Sequence, residues 1–166
     1  MAINPLKILF VASEVEGLVK TGGLADVAKA LPQHLARQGH DVRIIMPFYK
    51  TIKRRDEATL LASRWLPTPQ DRSDISYRIH QLELDGICVY LLDCPHYFDR
   101  PQLYAENNQA YPDNGERFAF LAAAALHACE QLNFAPDIVH CNDWHTAMLP
   151  MLAKTQYQGW PYSSMT

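Results

Sequence analysis

The chain has 166 residues, of which 48% are hydrophobic and 20% charged, and its formal net charge is −3. That length suits one domain with a sizeable core, and the composition excludes a disordered chain. The longest basic cluster is Lys53-Arg54-Arg55, read as a solvated helix face, so no nucleic-acid footprint is present.

The N-terminal stretch has no basic segment leading into a long apolar run. Residues 8–12 are too short for a leader or a membrane span. Residues 6–12 read instead as a strand buried on both faces, and 13–23 as a loop ending in Gly22-Gly23. From Leu24 the apolar period turns helical, with Val27, Ala28, Leu31 and Leu35 on one face. Pro32 is expected to kink this helix or remove a hydrogen bond. Gly39, just beyond Arg37, is expected to stop it. Residues 42–46 read as a second buried strand, and the βαβ unit so formed has parallel strands.

Residues 49–57 read as a short helix. Ile75, Tyr77 and Ile79 alternate, followed by Leu82 and Leu84, with a slip of phase near His80. Asp85-Gly86 is a strong hairpin turn into a strand at 87–92. Residues 93–112 are a long aromatic loop, and such loops usually carry function or move. Asp113-x-x-Glu116 resembles a capping box with Asp in place of Ser or Thr. The helix it opens is striped by Phe118, Leu121, Ala122, Ala125, Cys129 and Leu132. Residues 137–140 read as a third parallel strand, 141–145 as its exit loop, 147–155 as a helix and 161–166 as irregular. The class is α/β: a mainly parallel sheet flanked by helices, with an antiparallel hairpin inserted. Ligands of such sheets bind outside the carboxyl ends of the strands, which singles out loops 13–23 and 141–145.

Cys88, Cys94, Cys129 and Cys141 match neither a metal-pair spacing nor a disulfide framework. They read as reduced structural thiols. With no Asn-x-Ser/Thr acceptor, a cytoplasmic protein is expected.

Lys20-Thr21-Gly22-Gly23-Leu24-Ala25-Asp26-Val27 joins the first strand to the first helix. Paired glycines let backbone approach a ligand, and the helix start offers unpaired N–H groups and a positive dipole end. With Lys20 on the rim, the loop suits a phosphate or pyrophosphate. It equally suits a Gly-Gly turn that merely tightens a βα connection. It is neither the dinucleotide fingerprint nor a P-loop, whose Lys follows its second Gly.

In this strand–loop–helix setting, after Ser13-Glu14, the octapeptide resembles the signature of bacterial glycogen synthases and plant starch synthases. Two further stretches resemble the same family in the same order. One runs from Asp93-Cys94-Pro95-His96-Tyr97-Phe98 through Tyr104 to Tyr111-Pro112-Asp113-Asn114. The other is His140-Cys141-Asn142-Asp143-Trp144-His145. The resemblance spans nearly the whole chain. One departure is Gly17, where many members have Pro, and a more flexible loop is expected there.

The family is a group of retaining glucosyltransferases of two-domain GT-B architecture. The resemblance therefore implies that residues 1–166 form the N-terminal, acceptor-side, Rossmann-like domain, with the C-terminal nucleotide-binding domain absent. It implies transfer of glucose from ADP-glucose to the non-reducing end of an α-1,4-glucan such as glycogen, with no metal or other cofactor and no membrane partner. Lys20 would contact the donor phosphate, and Gly22 and Gly23 would lie under the sugar and pyrophosphate. Asp26 would stand near the same site, although an acid in a first helical turn is also favoured by the dipole alone. Glu14 joins the substrate-binding set. Tyr104 is the candidate acceptor contact, since pyranose C–H faces pack on aromatic rings. Tyr97, Phe98 and Tyr111 more simply pin the loop. Asp143 would sit close to the reacting glucose as the catalytic candidate, with His145 beside it. Trp144 reads as a packing residue and His140 as a strand residue satisfied by a hydrogen bond. A His–His metal site is disfavoured because the spacing is not helical and no third ligand follows.

The same family places the Arg/Lys pair for the pyrophosphate and a Glu near the donor sugar in the absent domain. A fragment carrying one wall of the cleft is expected to be inert alone. The alternatives are another GT-B glycosyltransferase, or a non-catalytic domain that binds glucan or nucleotide sugar through the same loops. A nicotinamide-dependent dehydrogenase is disfavoured by the missing GxGxxG.

Overall fold

The computed structural model describes residues 4–66 and 74–157; the irregular tail expected at 161–166 lies outside them. Six strands form one sheet. Of these, β1 (Lys7–Val11), β2 (Asp41–Pro47), β5 (Ile87–Asp93) and β8 (Ile138–Cys141) are parallel. β3 (Thr59–Leu66) and β4 (Ile75–Leu84) run antiparallel at one edge. The strand order is β3-β4-β5-β2-β1-β8. This is the expected α/β class with its inserted hairpin.

Helix α1 (Gly23–Arg37) takes the chain from β1 to its neighbour β2. Helix α3 (Asn114–Gln131), reached through the short helix α2 (Pro95–Phe98) and the small hairpin β6–β7 (Ala105–Glu106, Gln109–Ala110), takes it from β5 back past β1 to β8. Right-handed crossovers in opposite directions put α1 and α3 on opposite faces. The strand order reverses between β1 and β8, and the crevice outside that reversal is where such sheets bind ligands.

Burial follows from the two covered faces. Leu9, Phe10 and Val11 of β1 have no exposed surface, and each such side chain is worth about 1.5–3 kcal/mol on burial. The phase slip of β4 has the same origin. Side chains alternate faces along a strand. Tyr77 and Ile79 are buried on the face of α3, where Tyr77 meets Phe120 edge-on at 5.7 Å. Leu82 and Leu84 are buried on the other face. Facing the slip, the β3 register is irregular between Leu60 and Ala62. The Asp85-Gly86 turn has φ of 50° and 83°, the doubly left-handed geometry of a tight hairpin.

Several expectations are corrected. The helix at 49–57 is only a 3-10 turn at Arg55–Glu57, and Arg54, at φ 60°, precedes it rather than lying on a helix face. β3 went unforeseen because it is an edge strand with Leu60, Leu61 and Trp65 exposed, so it carries no alternating pattern. Val27 is exposed; Ala28 and, in part, Leu31 face the core as expected, joined there by Ala25 and Pro32. Pro32 does not break α1, which runs on to Arg37, so its cost is one missing N–H donor. The capping box is not formed: Asp113 sits at the N-cap of α3, but its carboxylate receives Arg100 (2.8 Å). The stripe on α3 is wider than expected, because Arg117, Phe120, Ala124, Leu126 and Ala128 are buried as well. All four thiols are free, and burial pushes that of Cys129 up to about 12.

Candidate active site

The loop after β1 is built around Glu14, which is 3% exposed. Its carboxylate accepts the N–H groups of Thr21 and Gly22 (3.3 Å for Gly22) and the Thr21 hydroxyl (2.9 Å). The loop is closed by the Val15–Val19 bridge and turns at Gly17, whose φ is +94°. Proline, fixed near −65°, has no access to that conformation. Gly22 is extended and caps α1 without a side chain, so the first N–H groups of the helix remain an anion-binding end. A Cβ built on Gly22 or Gly23 meets no atom within 4 Å, so both glycines face open space.

Lys20 is not a free cation. Its ammonium pairs with Asp26 at 2.6 Å and Glu16 at 2.9 Å, and those contacts raise its pKa, that to Asp26 most. Asp26, in the first turn of α1, is thus the partner of Lys20.

Tyr104, from the connection between β5 and β8, reaches the same loop. Its hydroxyl donates to Glu14 at 3.0 Å and lies 2.7 Å from the Ser13 hydroxyl. Its ring lies 4.5 Å from that of His145. Burial raises the Tyr104 pKa well above the usual tyrosine range. Tyr97 and Phe98 are buried and pin the aromatic loop as expected. An open groove of about 480 Å³ lies beside Tyr104, lined also by Lys20, Thr21, Thr51, Lys53 and Gln102.

β8 delivers the other half. Asn142 is buried and donates to the carbonyls of Val11 (2.9 Å) and His140 (3.1 Å), tying the exit loop to β1. Asp143 follows at φ 64°, ψ 177°, a region almost reserved for glycine, and such strain gathers at functional sites. Its carboxylate accepts the Trp144 N–H at 2.6 Å. His145 is 3% exposed, and neither ring nitrogen has a hydrogen-bond partner among the described residues. It is packed by Tyr104, Trp144 (4.0 Å) and Phe118 (4.6 Å). Burial lowers its pKa to about 4 despite the nearby Asp143 and Glu14 carboxylates, so the ring is neutral at neutral pH.

Two neighbours differ from expectation. Trp144 stacks on His145 yet is 53% exposed, so it also presents a face to solvent. His140 stacks flat on Phe10 at 4.7 Å, and among the described residues its buried Nδ1 has no hydrogen-bond partner. Among the described residues no cluster of His, Cys, Asp or Glu could hold a metal ion.

Glu14, Gly22, Tyr104 and His145 are therefore linked contact to contact. Lys20 and Asp26 form their own pair on the loop rim, and Asp143 stands just beyond the end of the neighbouring parallel strand β8. Sequence reasoning missed Ser13 and Asn142, although both lay within the stretches that drew attention to the two strand ends.

Comparison with known proteins bears on the family and the fold. The family described as starch synthase catalytic domain matches residues 7–165. The glycogen synthase of Aeromonas salmonicida (strain A449) is 78% identical over 166 residues, covering 100% of this chain and 34% of that protein. That of Photobacterium profundum is 60% identical over 154 residues, 93% of this chain and 30% of the relative. Among solved structures, the catalytic domain of Starch Synthase IV from Arabidopsis thaliana bound to ADP and acarbose aligns with a TM-score of 0.81 at 30% identity. The alignment covers 93% of this chain and 31% of that one. The chain spans about a third of the length of these relatives. From the family match and these identities together, the chain belongs to the starch synthase catalytic domain family, alongside the bacterial glycogen synthases it matches.

Proposed function

We propose that this chain is the N-terminal, acceptor-side domain of a retaining glucosyltransferase that moves glucose from ADP-glucose to the non-reducing end of an α-1,4-glucan. The observation that carries the reading is the meeting, at the β1/β8 reversal, of a glycine-opened helix start with the Tyr104–His145 pair and the strained Asp143. A relative with the same fold is bound to ADP and acarbose.

Each group then has a task. The N–H groups at the start of α1, with Gly22 and Gly23, receive the pyrophosphate. Lys20 follows the phosphate charge on leaving its two acids. Tyr104 and the adjoining groove take the acceptor sugar, rings against C–H faces and hydroxyls against polar rims. Neutral His145, packed against Tyr104, backs that acceptor-side ring from inside. Asp143 places negative charge beside the reacting glucose, where an oxocarbenium-like transition state builds positive charge. Glu14 shapes the loop rather than reaching for substrate. No cofactor enters this reading.

Stabilising both the leaving ADP and the sugar cation takes groups on two sides of a cleft, and this chain supplies one side. The isolated chain is therefore expected to transfer no glucose while binding ligand weakly. No helix among the described residues is long and apolar enough to cross a membrane. The four free thiols, two of them buried, suit a reducing compartment, and we place the protein in the cytoplasm.

Calorimetric titration of the chain with ADP-glucose and with a short malto-oligosaccharide tests the reading. Dissociation constants of about millimolar, with the donor weakened by Lys20→Ala, are expected. Binding of neither ligand, to this chain or to a longer protein that contains it, overturns the proposal.

A further inference from the structure

Arg117 is among the largest fully buried side chains of the described residues, and none of its hydrogen-bond partners there is a carboxylate. Nε donates to the Tyr97 carbonyl at 2.8 Å. Nη1 donates to the Leu103 carbonyl at 2.9 Å and to Asn114 Oδ1 at 2.7 Å. The guanidinium lies over the Tyr111 ring at 5.0 Å. A buried charge without a counter-charge is costly, and its desolvation shows as a lowered pKa. A neutral side chain would avoid that cost, so the arrangement needs another reason.

The acceptors themselves supply it. Tyr97 and Leu103 both lie within the aromatic loop, ahead of Tyr104, and the rigid guanidinium fork holds both carbonyls at once. Asn114, whose oxygen is fixed by Arg117, turns its Nδ2 to the Tyr104 carbonyl at 2.9 Å. The Tyr111 N–H donates to the same carbonyl at 3.0 Å. Backbone atoms on both sides of the Tyr104 side chain are thus fixed from α3. The ring they orient lies against His145 and hydrogen-bonds Glu14.

We propose that Arg117, acting through Asn114, is a positioning residue that sets the Tyr104 ring at the acceptor groove. This rests on the acceptor role of Tyr104 proposed above.

Asn114→Asp separates positioning from general stability. Its carboxylate still accepts from Arg117 and adds the missing counter-charge, but it presents an oxygen, not a donor, to the Tyr104 carbonyl. In the full-length enzyme, with ADP-glucose and a short malto-oligosaccharide, this variant is expected to melt no lower than wild type. Its acceptor KM should rise about tenfold, with the donor KM within about twofold. Arg117→Lys, which keeps charge but loses the fork, should raise the same acceptor KM and also lower Tm. In a Tyr104→Ala background, Asn114→Asp should change the acceptor KM no further. An unchanged acceptor KM, a parallel rise in both KM values, or an effect that persists without the Tyr104 ring overturns the proposal. Should the wild-type enzyme transfer no glucose, the functional reading falls, and an NMR contact between the Tyr104 and His145 rings decides the positioning claim in the 166-residue chain. Loss of that contact in Asn114→Asp upholds it, and retention overturns it.

Discussion

The Tyr104 hydroxyl donates to the Glu14 carboxylate at 3.0 Å, across 90 positions of sequence. Through that contact and the 2.7 Å one to the Ser13 hydroxyl, the aromatic loop is fastened to the loop that opens α1. Glu14 is buried and surrounded by donors: two N–H groups and the Thr21 and Tyr104 hydroxyls. A carboxylate suits that shell because it only accepts.

Glu14→Gln sets an amide NH2 against those donors. The expected cost is about 1–3 kcal/mol, the scale of a buried polar group left unsatisfied, together with weaker ADP binding as the Thr21–Gly22 backbone loosens. Denaturant midpoints at unchanged m-value measure the first effect. A variant with the wild-type midpoint and affinity would show that the carboxylate does not shape the loop.

Asp143 holds φ 64° and ψ 177° while its side chain caps the 3-10 turn at Trp144–Thr146. Glycine relieves the strain but loses the cap; alanine loses the cap and keeps the strain. Asp143→Gly is therefore expected to be more stable than Asp143→Ala by about 1–3 kcal/mol. Both should abolish transfer in the longer enzyme. Equal stabilities would mean that the backbone at 143 is not under strain.

Most of the parallel frame was legible because β1, β2 and β5 lie inside the sheet, buried on both faces, and so read as apolar runs. Edge strand β3 was not, since its outward Leu60, Leu61 and Trp65 break any alternation. Lys20, Asp26, Asp143 and His145 could be picked out because they lie in contiguous motifs at strand ends. Their pairings could not. Sequence shows Lys20 as a cation but not its capture by Glu16 and Asp26, because whether a loop folds back depends on the left-handed turn at Gly17. Arg117 was hidden by its type: a charged residue on an apolar helix stripe reads as a solvated position.

His145 gives a signature in acid. Its ordinary pKa is about 6.5, lowered to about 4 in the folded protein by burial. Between those values the unfolded chain holds a proton that the folded chain refuses. Stability is thus complete above about pH 6.5 and is lost as pH falls toward 4, by on the order of 3 kcal/mol. Burial lowers His80 and His127 in the same direction, so the comparison is with His145→Phe. Phenylalanine keeps the packing against Tyr104, Trp144 and Phe118 and leaves no unpaired nitrogen. Near neutral pH the variant should match wild type within about 1 kcal/mol, and its acid slope should be shallower by up to one proton. Parallel slopes would show that His145 is not desolvated.

The Lys20 ion pairs make a last prediction about donor affinity. One ammonium sits between Glu16 and Asp26, so the loop rim carries a net negative charge where the proposed pyrophosphate must arrive. Binding then requires Lys20 to exchange two carboxylates for phosphate oxygens. Glu16→Gln removes one competitor without touching the helix start, and ADP should bind the chain about two- to fivefold more tightly. The gain should shrink as salt is raised, because these groups are solvent-exposed and screened. Lys20→Ala should weaken ADP, and adding Glu16→Gln to it should recover little, since the carboxylate acts through the ammonium it holds. Tightening by Glu16→Gln that is equally large with and without Lys20 would mean simple charge repulsion between Glu16 and ADP, and the exchange at Lys20 would be discarded.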